Sequence, residues 1–174
     1  MIKRILPDTN FYEFILKYME IDKIRDVKES SILVFYGVDL IRKELRATPK
    51  TKAEIIRGKL LKLRNALLLT YDLLIGEHQY KIDSKINQLS DDYYIAYKVL
   101  KGKATKDEII TDFKIVACAS IHNIDILVSD DNKTMLSIES KKAYKSVNEI
   151  KKLRTPDFIG FEEFKKLLRG VKLD

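Results

Sequence analysis

The sequence predicts an α/β fold with a mostly parallel central sheet. Short apolar runs rich in strand-forming residues alternate with longer stretches in which apolar residues recur at helical spacing. Two of these runs are continuously apolar, as strands are when helices cover both faces of a parallel sheet. No internal repeat or low-complexity linker interrupts the alternation, and the length of 174 residues suits one domain, so we expect a single domain over residues 1–174.

Three strands are predicted from the apolar runs. They are residues 2–6, 31–36 and 125–129. The first ends at Pro7, whose missing N–H cannot extend a sheet, and the second ends at Gly37.

Helices are predicted where apolar residues recur every three or four positions. They cover residues 11–18, 38–46, 51–75, 91–101, 105–122 and 161–169, and a further Lys-rich helical stretch precedes Thr155. Two of them begin with the spacing of a capping box, Thr51 with Glu54 and Thr105 with Glu108. Residues 77–89 show no clear period, and together with the helix that follows they predict a helical elaboration at about 75–105.

The basic charge of the chain favours a polyanionic partner. The net charge is +7, and from Lys133 onward eleven Lys and Arg residues face six Asp and Glu residues. A basic surface attracts RNA or DNA, although Lys-rich helices can also be simply well solvated. The residues expected to approach RNA are Lys141, Lys142, Lys145, Lys151, Lys152 and Arg154. Residues 98–106 carry four more lysines, which could follow a phosphate backbone or belong to a solvated turn.

Cysteine use and hydropathy favour a soluble cytoplasmic protein. Cys118 is the single cysteine, so no internal disulfide can form and a reducing compartment fits. The most apolar stretch, residues 66–75, is too short to span a membrane and contains Asp72. The N-terminal residues lack the apolar run of a signal peptide. We therefore expect no membrane association.

Acidic residues follow two of the predicted strands. Asp8 comes after the first, and Asp130 and Asp131 come after the strand that ends at Ser129. Ligands of open parallel sheets gather beyond the carboxyl ends of the strands, so these side chains are expected to lie near one another. An Asp at such a position also commonly caps a helix or forms a turn, and each residue alone leaves both interpretations open.

Two further acids occupy predicted helices. Asp112 shares its helical face with four apolar residues, which are Ile109, Ile115, Val116 and Ala119. A carboxylate on an apolar face is costly unless a cation, a metal or a buried hydrogen bond compensates it. Glu44 lies at the edge of its helix beside Leu40 and Ile41, where a solvated carboxylate is an equally simple interpretation.

The four positions together predict a metal site. A parallel fold can bring Asp8, Glu44, Asp112 and Asp131 to one rim of the sheet, where they repel one another unless a cation is present. Hard divalent cations such as Mg²⁺ and Mn²⁺ prefer oxygen ligands, whereas zinc prefers Cys and His. A metal held in this way can activate water and stabilise charge that develops on a phosphodiester.

Four short segments, in this order, resemble the motifs of the PIN domain, the nuclease fold of many bacterial and archaeal ribonuclease toxins of the VapC type and of RNA-processing factors. They are Ile5-Leu6-Pro7-Asp8-Thr9-Asn10, Glu44-Leu45, the Ala-rich turn headed by Asp112, and Leu127-Val128-Ser129-Asp130-Asp131. The C-terminal Pro156-Asp157-Phe158-Ile159 and the helix after it suit the last strand and helix of that family. The resemblance covers most of the chain except about residues 75–105.

The resemblance implies a three-layer α/β/α sandwich of Rossmann-like type and a Mg²⁺- or Mn²⁺-dependent endoribonuclease. It assigns catalysis and metal binding to Asp8, Glu44, Asp112 and Asp131, with Asp130 as a further candidate ligand, and a supporting role to Asn10 and Ser129. It also implies RNA as substrate, an antitoxin as a candidate partner, and a homodimer.

The chain departs from the family pattern at three places. Pro7 precedes the first acid, Ser129 stands where Thr is commoner, and the middle of the chain is longer than in compact toxins. An RNA-processing enzyme is therefore an alternative to a toxin, and a catalytically weak RNA- or protein-binding module is an alternative from another class. A phosphoacceptor receiver domain would need an acid pair after the first strand, where Asp8 stands alone.

Overall fold

The structure is a computed structural model that describes residues 1–170 and their side chains, except that of Ile21. Residues 171–174 of the predicted domain lie outside the described residues. The strands are β1 (Lys3–Pro7), β2 (Leu33–Phe35), β3 (Gly37–Val38), β4 (Ala53–Ile56), β5 (Lys59–Lys62), β6 (Gln79–Tyr80), β7 (Ile126–Val128) and β8 (Asp157–Ile159). The helices are α1 (Phe11–Tyr18), α2 (Ile21–Glu29), α3 (Asp39–Ala47), α4 (Leu63–Ile75), α5 (Ser84–Val99), α6 (Lys106–Ile121), α7 (Ile138–Lys151) and α8 (Phe161–Gly170).

The central sheet has the strand order β2-β1-β7-β8 and is entirely parallel. β1 lies in its middle, with Ile5 opposite Phe35 on one side and opposite Ile126 on the other. β3 and β6 form a separate parallel pair. Parallel strands need crossover connections, and helices supply them here. The predicted α/β class with a mostly parallel sheet is confirmed.

The helices pack in two groups around this sheet. α4 contacts α1, α2 and α3, whereas α5 contacts α6 and α7. The interior contains many aromatic rings, among them Phe11, Tyr93, Phe113 and Tyr144. Tyr93 is fully buried, its hydroxyl donates to the Asn148 side-chain carbonyl over 2.7 Å, and the Ser120 hydroxyl lies 3.1 Å from it, so the ring is part of the core.

The helix predicted from Thr51 is wrong over its first part. Residues 53–62 form the antiparallel hairpin of β4 and β5, and α4 begins only at Leu63. The turn residues Arg57 and Gly58 both have positive φ, which is the geometry of a tight two-residue hairpin turn. Within the hairpin, Ile56 is buried but Leu60, which the helical pattern placed inward, is 73% exposed.

Two other helix predictions are incomplete. α2 covers residues 21–29 and was not predicted, because charged residues interrupt its apolar period. α5 begins at Ser84, seven residues before the predicted start, with the Asp83 carboxylate accepting a hydrogen bond from the Ile86 N–H as its N-cap. The capping box of Thr105 and Glu108 is confirmed at the start of α6.

Among the described residues, no helix is long and apolar enough to cross a membrane.

Candidate active site

The site begins at the carboxyl ends of the two central strands. Asp8 directly follows β1, and its N–H donates to the Val128 carbonyl, so the acid is fixed by the sheet ladder. Its side chain is only 4% exposed. The Ser129 hydroxyl donates to the Asp8 carboxylate, and the Phe11 N–H donates to it over 3.2 Å. The supporting position of Ser129 therefore follows from the pairing of β1 with β7.

Thr134 connects two of the other acids. Its Oγ1 lies 2.6 Å from a carboxylate oxygen of Asp112, on α6, and 2.5 Å from one of Asp131, which follows β7. The N–H groups of Lys133 and Thr134 both donate to the other oxygen of Asp131 over 3.0 Å. Asp131 is thereby held in a tight turn that points it toward Asp112.

Glu44 reaches the site from α3. Its carboxylate accepts a hydrogen bond from the Thr9 hydroxyl, on the turn between Asp8 and α1. Asp8, Asn10, Glu44, Asp112 and Asp131 all line one cleft of about 330 Å³, together with Thr9, Ala47, Ile115 and Met135. The four predicted acids are thus brought together, from β1, α3, α6 and the β7–α7 loop.

Asp130 faces another part of the molecule. Its carboxylate accepts a hydrogen bond of 2.8 Å from the Phe161 N–H at the start of α8, and it does not line the cleft. Gly160 makes this approach feasible, since a Cβ there would come within 2.7 Å of the same oxygen. Asp130 therefore caps a helix, and its placement corrects the expectation that it joins the ligand set.

Burial, hydrogen bonds and neighbouring charges change the pKa values of the acids. Burial raises the pKa of Asp8 to about 7, against the hydrogen bonds from Ser129 and Phe11, and the charges of Asp112 and Asp131 raise it further. Burial likewise raises the pKa of Asp112 to about 6, with the charges of Asp131 and Glu44 adding to the effect. Burial acts in the same direction on Asp131, but the hydrogen bonds from Thr134 and from backbone N–H groups outweigh it and lower that pKa.

The contacts between Asp112, Thr134 and Asp131 require an additional proton or cation. A hydroxyl carries one hydrogen, so Thr134 cannot donate to both Asp112 and Asp131. One of these carboxyls must carry a proton, or a cation must lie between them. The donor set, made only of carboxylate, hydroxyl and backbone oxygens, has the chemistry that Mg²⁺ and Mn²⁺ prefer.

The side chains are not gathered around one point. Among residues 1–170, no three His, Cys, Asp or Glu side chains are close enough together to hold a metal ion. Asp8 turns toward Ser129 and Glu44 toward Thr9, in contacts that are made by side chains and can be released by rotation. Both residues line the cleft, and the donor chemistry fits a divalent cation once the carboxylates converge on it.

The basic residues predicted to approach RNA differ in their surroundings. Lys151 pairs with Asp92 at 2.8 Å, and Arg154 pairs with Asp125 at 2.6 Å. Lys141, Lys142 and Lys145 are exposed on α7 and make no ion pair with any described residue. None of these residues lines the acid cleft.

Sequence reasoning missed Thr134 and Thr9. Both are hydroxyl residues within three positions of a predicted acid, and this spacing was the available signal. Their contacts depend on the conformation of the loops after β1 and β7, which no periodicity reveals.

We predict that Thr134→Val lowers any activity of this site by about 10- to 100-fold, the usual effect of removing a group that orients a metal ligand. Valine keeps the shape but leaves Asp112 and Asp131 without their shared hydroxyl. Thr134→Ser is the matched control and should retain most activity. Equal losses in the two variants, measured as kcat/KM of phosphodiester cleavage, would contradict an orienting role for the hydroxyl.

Solved structures of other proteins share this fold. A chain of the VapBC2 complex from Rickettsia felis, bound to a DNA fragment from their promoter, aligns with a TM-score of 0.56 at 10% identity, over 91% of this chain and 98% of that one. FitAcB from Neisseria gonorrhoeae gives a TM-score of 0.54 at 18% identity, over 79% and 93%. DNA-bound VapBC from Salmonella typhimurium gives 0.53 at 13% identity, over 92% and 98%.

These likenesses concern the fold, because the identities are low. The expected PIN-like α/β/α architecture is confirmed. No protein-family model matches the chain. No curated protein sequence matches it.

Proposed function

We propose that this chain is a Mg²⁺- or Mn²⁺-dependent endoribonuclease of the PIN type. The observation that supports it is the meeting of Asp8, Glu44, Asp112 and Asp131 in one cleft at the carboxyl edge of the sheet. Carboxyls whose pKa values are raised by burial and by mutual repulsion gain most from a cation. The neighbours of known fold support the same class.

Each residue of the cleft would have a role that follows from its position. Asp8, Asp112 and Asp131 would hold the cation, with Glu44 turning in from α3, and Ser129 and Thr134 would orient the carboxylates. The bound cation would supply an activated water and neutralise charge on the phosphodiester. Asn10, which lines the cleft and lacks a side-chain cap bond to α1, would donate a hydrogen bond to the substrate.

A protein partner is the second part of the proposal. The neighbouring structures are of two-component VapBC and FitAB complexes, some of them bound to DNA. We infer that this chain is the toxin-type component of such a pair, acting in the cytoplasm and held inactive by an antitoxin. An RNA-processing role without an antitoxin is the alternative, and co-expression with the product of a neighbouring reading frame distinguishes the two by whether a stable complex is recovered.

The homodimer remains a proposal. Ile95 and Val99 are 62% and 76% exposed, one turn apart on α5, and an apolar pair of this kind favours a contact between copies. Light scattering should return twice the chain mass of 20.3 kDa for the unmodified protein and a smaller mass after Ile95→Glu. A monomer mass for the unmodified protein would contradict the dimer.

The nuclease proposal is tested by incubating the protein with a panel of labelled single-stranded and hairpin RNAs. We expect cleavage with Mn²⁺ or Mg²⁺ and none with EDTA, and restoration when the metal is returned in excess. Cleavage that persists in EDTA would contradict metal dependence. Folded protein that binds RNA but cleaves no member of the panel under any metal would favour the weakly catalytic binding module.

A further inference from the structure

A larger groove adjoins the acid cleft. Its volume is about 720 Å³, more than twice that of the acid cleft and within the roughly 300–1,000 Å³ that binding pockets commonly have. One wall is the loop between α5 and α6, with Lys103 and Ala104, and the other is the loop between β7 and α7, with Lys133 and Thr134. Lys103 is one of the lysines of residues 98–106, for which contact with a phosphate backbone and a solvated turn were both open interpretations.

The groove and the acid cleft share a wall. Thr134 lines the groove, while its Oγ1 contacts Asp112 and Asp131, which line the cleft. Glu108 in the groove and Asp112 and Ile115 in the cleft also lie on the same face of α6, so the two cavities are neighbours along this helix.

The α5–α6 loop is held in a defined shape. The Gly102 N–H donates to the Tyr97 carbonyl over 2.9 Å, and the Ala104 N–H donates to the Tyr97 hydroxyl over 3.0 Å. Gly102 packs so closely on the Tyr97 ring that a Cβ there would lie 2.2 Å from it. Lys98 Nζ donates to the Gly102 carbonyl over 2.9 Å. Lys103 is therefore carried on a fixed turn beside the groove.

The lysines of the groove are free to contact a ligand, while one of its acids is not. Lys103 and Lys133 are exposed and make no ion pair with any residue from 1 to 170. Glu108 is occupied by the capping box, where it accepts from the Thr105 N–H over 2.7 Å. Glu139 is the remaining acid on the wall. Hydrogen bonds from Thr105 lower the pKa of Glu108, so it stays charged, and phosphate groups would be attracted by the two lysines and opposed by Glu108 and Glu139.

We propose that a single-stranded RNA extends from the acid cleft into this groove, with Lys103 and Lys133 contacting its phosphates on one side of the cleaved bond. The proposal rests on the nuclease function and deepens it, because it assigns a path to the substrate. The path differs from the one expected along α7 and the residues after it, where Lys151 and Arg154 are already paired with acids.

The test measures binding of a labelled single-stranded RNA by fluorescence anisotropy at several KCl concentrations. Asp112→Asn is the background, so that the probe stays intact. Adding Lys103→Ala with Lys133→Ala should weaken binding by about 10-fold at low salt and reduce the salt slope by about 1.4, since each phosphate contact on a single strand contributes about 0.7. Glu139→Gln should tighten binding, because it removes an opposing charge.

The matched control is Lys85→Ala with Lys166→Ala, which removes the same charge from exposed positions that line neither cavity. Its affinity should stay within twofold of the background, as should that of Lys141→Ala with Lys142→Ala on α7. An equal loss in all the lysine pairs would overturn the groove and indicate a general charge effect. A loss confined to the α7 pair would overturn it in favour of that helix.

A cleavage assay distinguishes this proposal from the nuclease function. It uses the groove variant, Lys103→Ala with Lys133→Ala, without the Asp112→Asn substitution. The groove variant should raise KM with little change in kcat, because its lysines lie away from the acids. Metal-dependent cleavage with an unchanged KM would overturn the groove alone. Failure of the unmodified protein both to bind and to cleave RNA would overturn the two proposals together.

Discussion

Asp112→Asn should reduce RNA cleavage by at least about 100-fold, comparable to or larger than the loss of a single group that stabilises a transition state. The substitution removes one of the partly buried charges expected to hold the cation, and Asn keeps the volume and can still contact Thr134. The fold should survive, since a neutral side chain suits this partly buried position on α6 better than a charge. The measurement is kcat/KM with saturating Mn²⁺.

Asp107→Asn is the matched control for this variant. Asp107 lies on the same helix, is exposed, and lines neither the cleft nor the groove. It loses the same charge without touching the site, so cleavage should change by less than about twofold. Similar losses of cleavage in the two variants, or retained cleavage in Asp112→Asn, would contradict a catalytic role for the Asp112 carboxylate.

The metal-free protein should lose stability as the pH rises from about 4 to 7. In this range the folded chain binds more protons than the unfolded chain, because the pKa of Asp8 is raised to about 7 and that of Asp112 to about 6. The stability contributed by their protonated forms is complete below the unfolded pKa and is lost as the pH passes the folded pKa. For Asp8 the loss is on the order of 4 kcal/mol, at about 1.4 kcal/mol for each pKa unit.

Mn²⁺ should reverse this loss most strongly at high pH. Carboxylates must be deprotonated to bind, so the metal competes with protons at pH 5 and meets little competition at pH 7.5. Metal at 100 times its Kd stabilises the folded state by about 2.7 kcal/mol, which raises the Tm by roughly 5–10 °C for a chain of this size. Thermal unfolding with and without Mn²⁺ at pH 5 and at pH 7.5 measures this increase in Tm.

The Asp112→Asn variant distinguishes the contribution of the cleft to the pH dependence of stability from the contributions of other titrating groups. This variant should lose less stability between pH 5 and 7.5 than the unmodified protein, and Mn²⁺ should raise its Tm little at either pH. A Tm increase equal at both pH values, or equal in the variant, would contradict binding of the metal by the carboxyls of the cleft.

The acid positions could be predicted because they depend on few structural facts. Asp8 and Asp131 follow the strands β1 and β7, and pairing of these strands in parallel brings their ends together. Asp112 was recognisable as an acid among apolar residues of α6, whose capping box fixes the helix start. Periodicity and strand ends were enough for these residues.

The choice between Asp130 and Asp131 depended on conformation. The backbone turn after Ser129 sends one carboxylate to the start of α8 and the other to Thr134. The Ser-x-Asp spacing from Ser129 favoured Asp131, but both residues follow the same strand, so Asp130 stayed a candidate until the turn was known.

The hairpin of β4 and β5 shows where local pattern failed. Ile56, Leu60 and Leu63 have a helical spacing, and Thr51 with Glu54 has the spacing of a capping box. The chain instead turns at Arg57 and Gly58, where positive φ values reverse its direction. Ile55 and Leu60 then pair across the strands with both side chains exposed, an arrangement that no burial rule predicts.

The most direct test of the central claim is to titrate metal-free protein with Mn²⁺ by isothermal calorimetry at pH 7.5, beside Asp112→Asn, Asp131→Asn and the Asp107→Asn control. The account predicts saturable binding by the unmodified protein and by the control, and binding weakened at least about 10-fold in the two site variants. No saturable binding by the unmodified protein, or equal binding by all four proteins, would contradict a metal site built from these carboxylates.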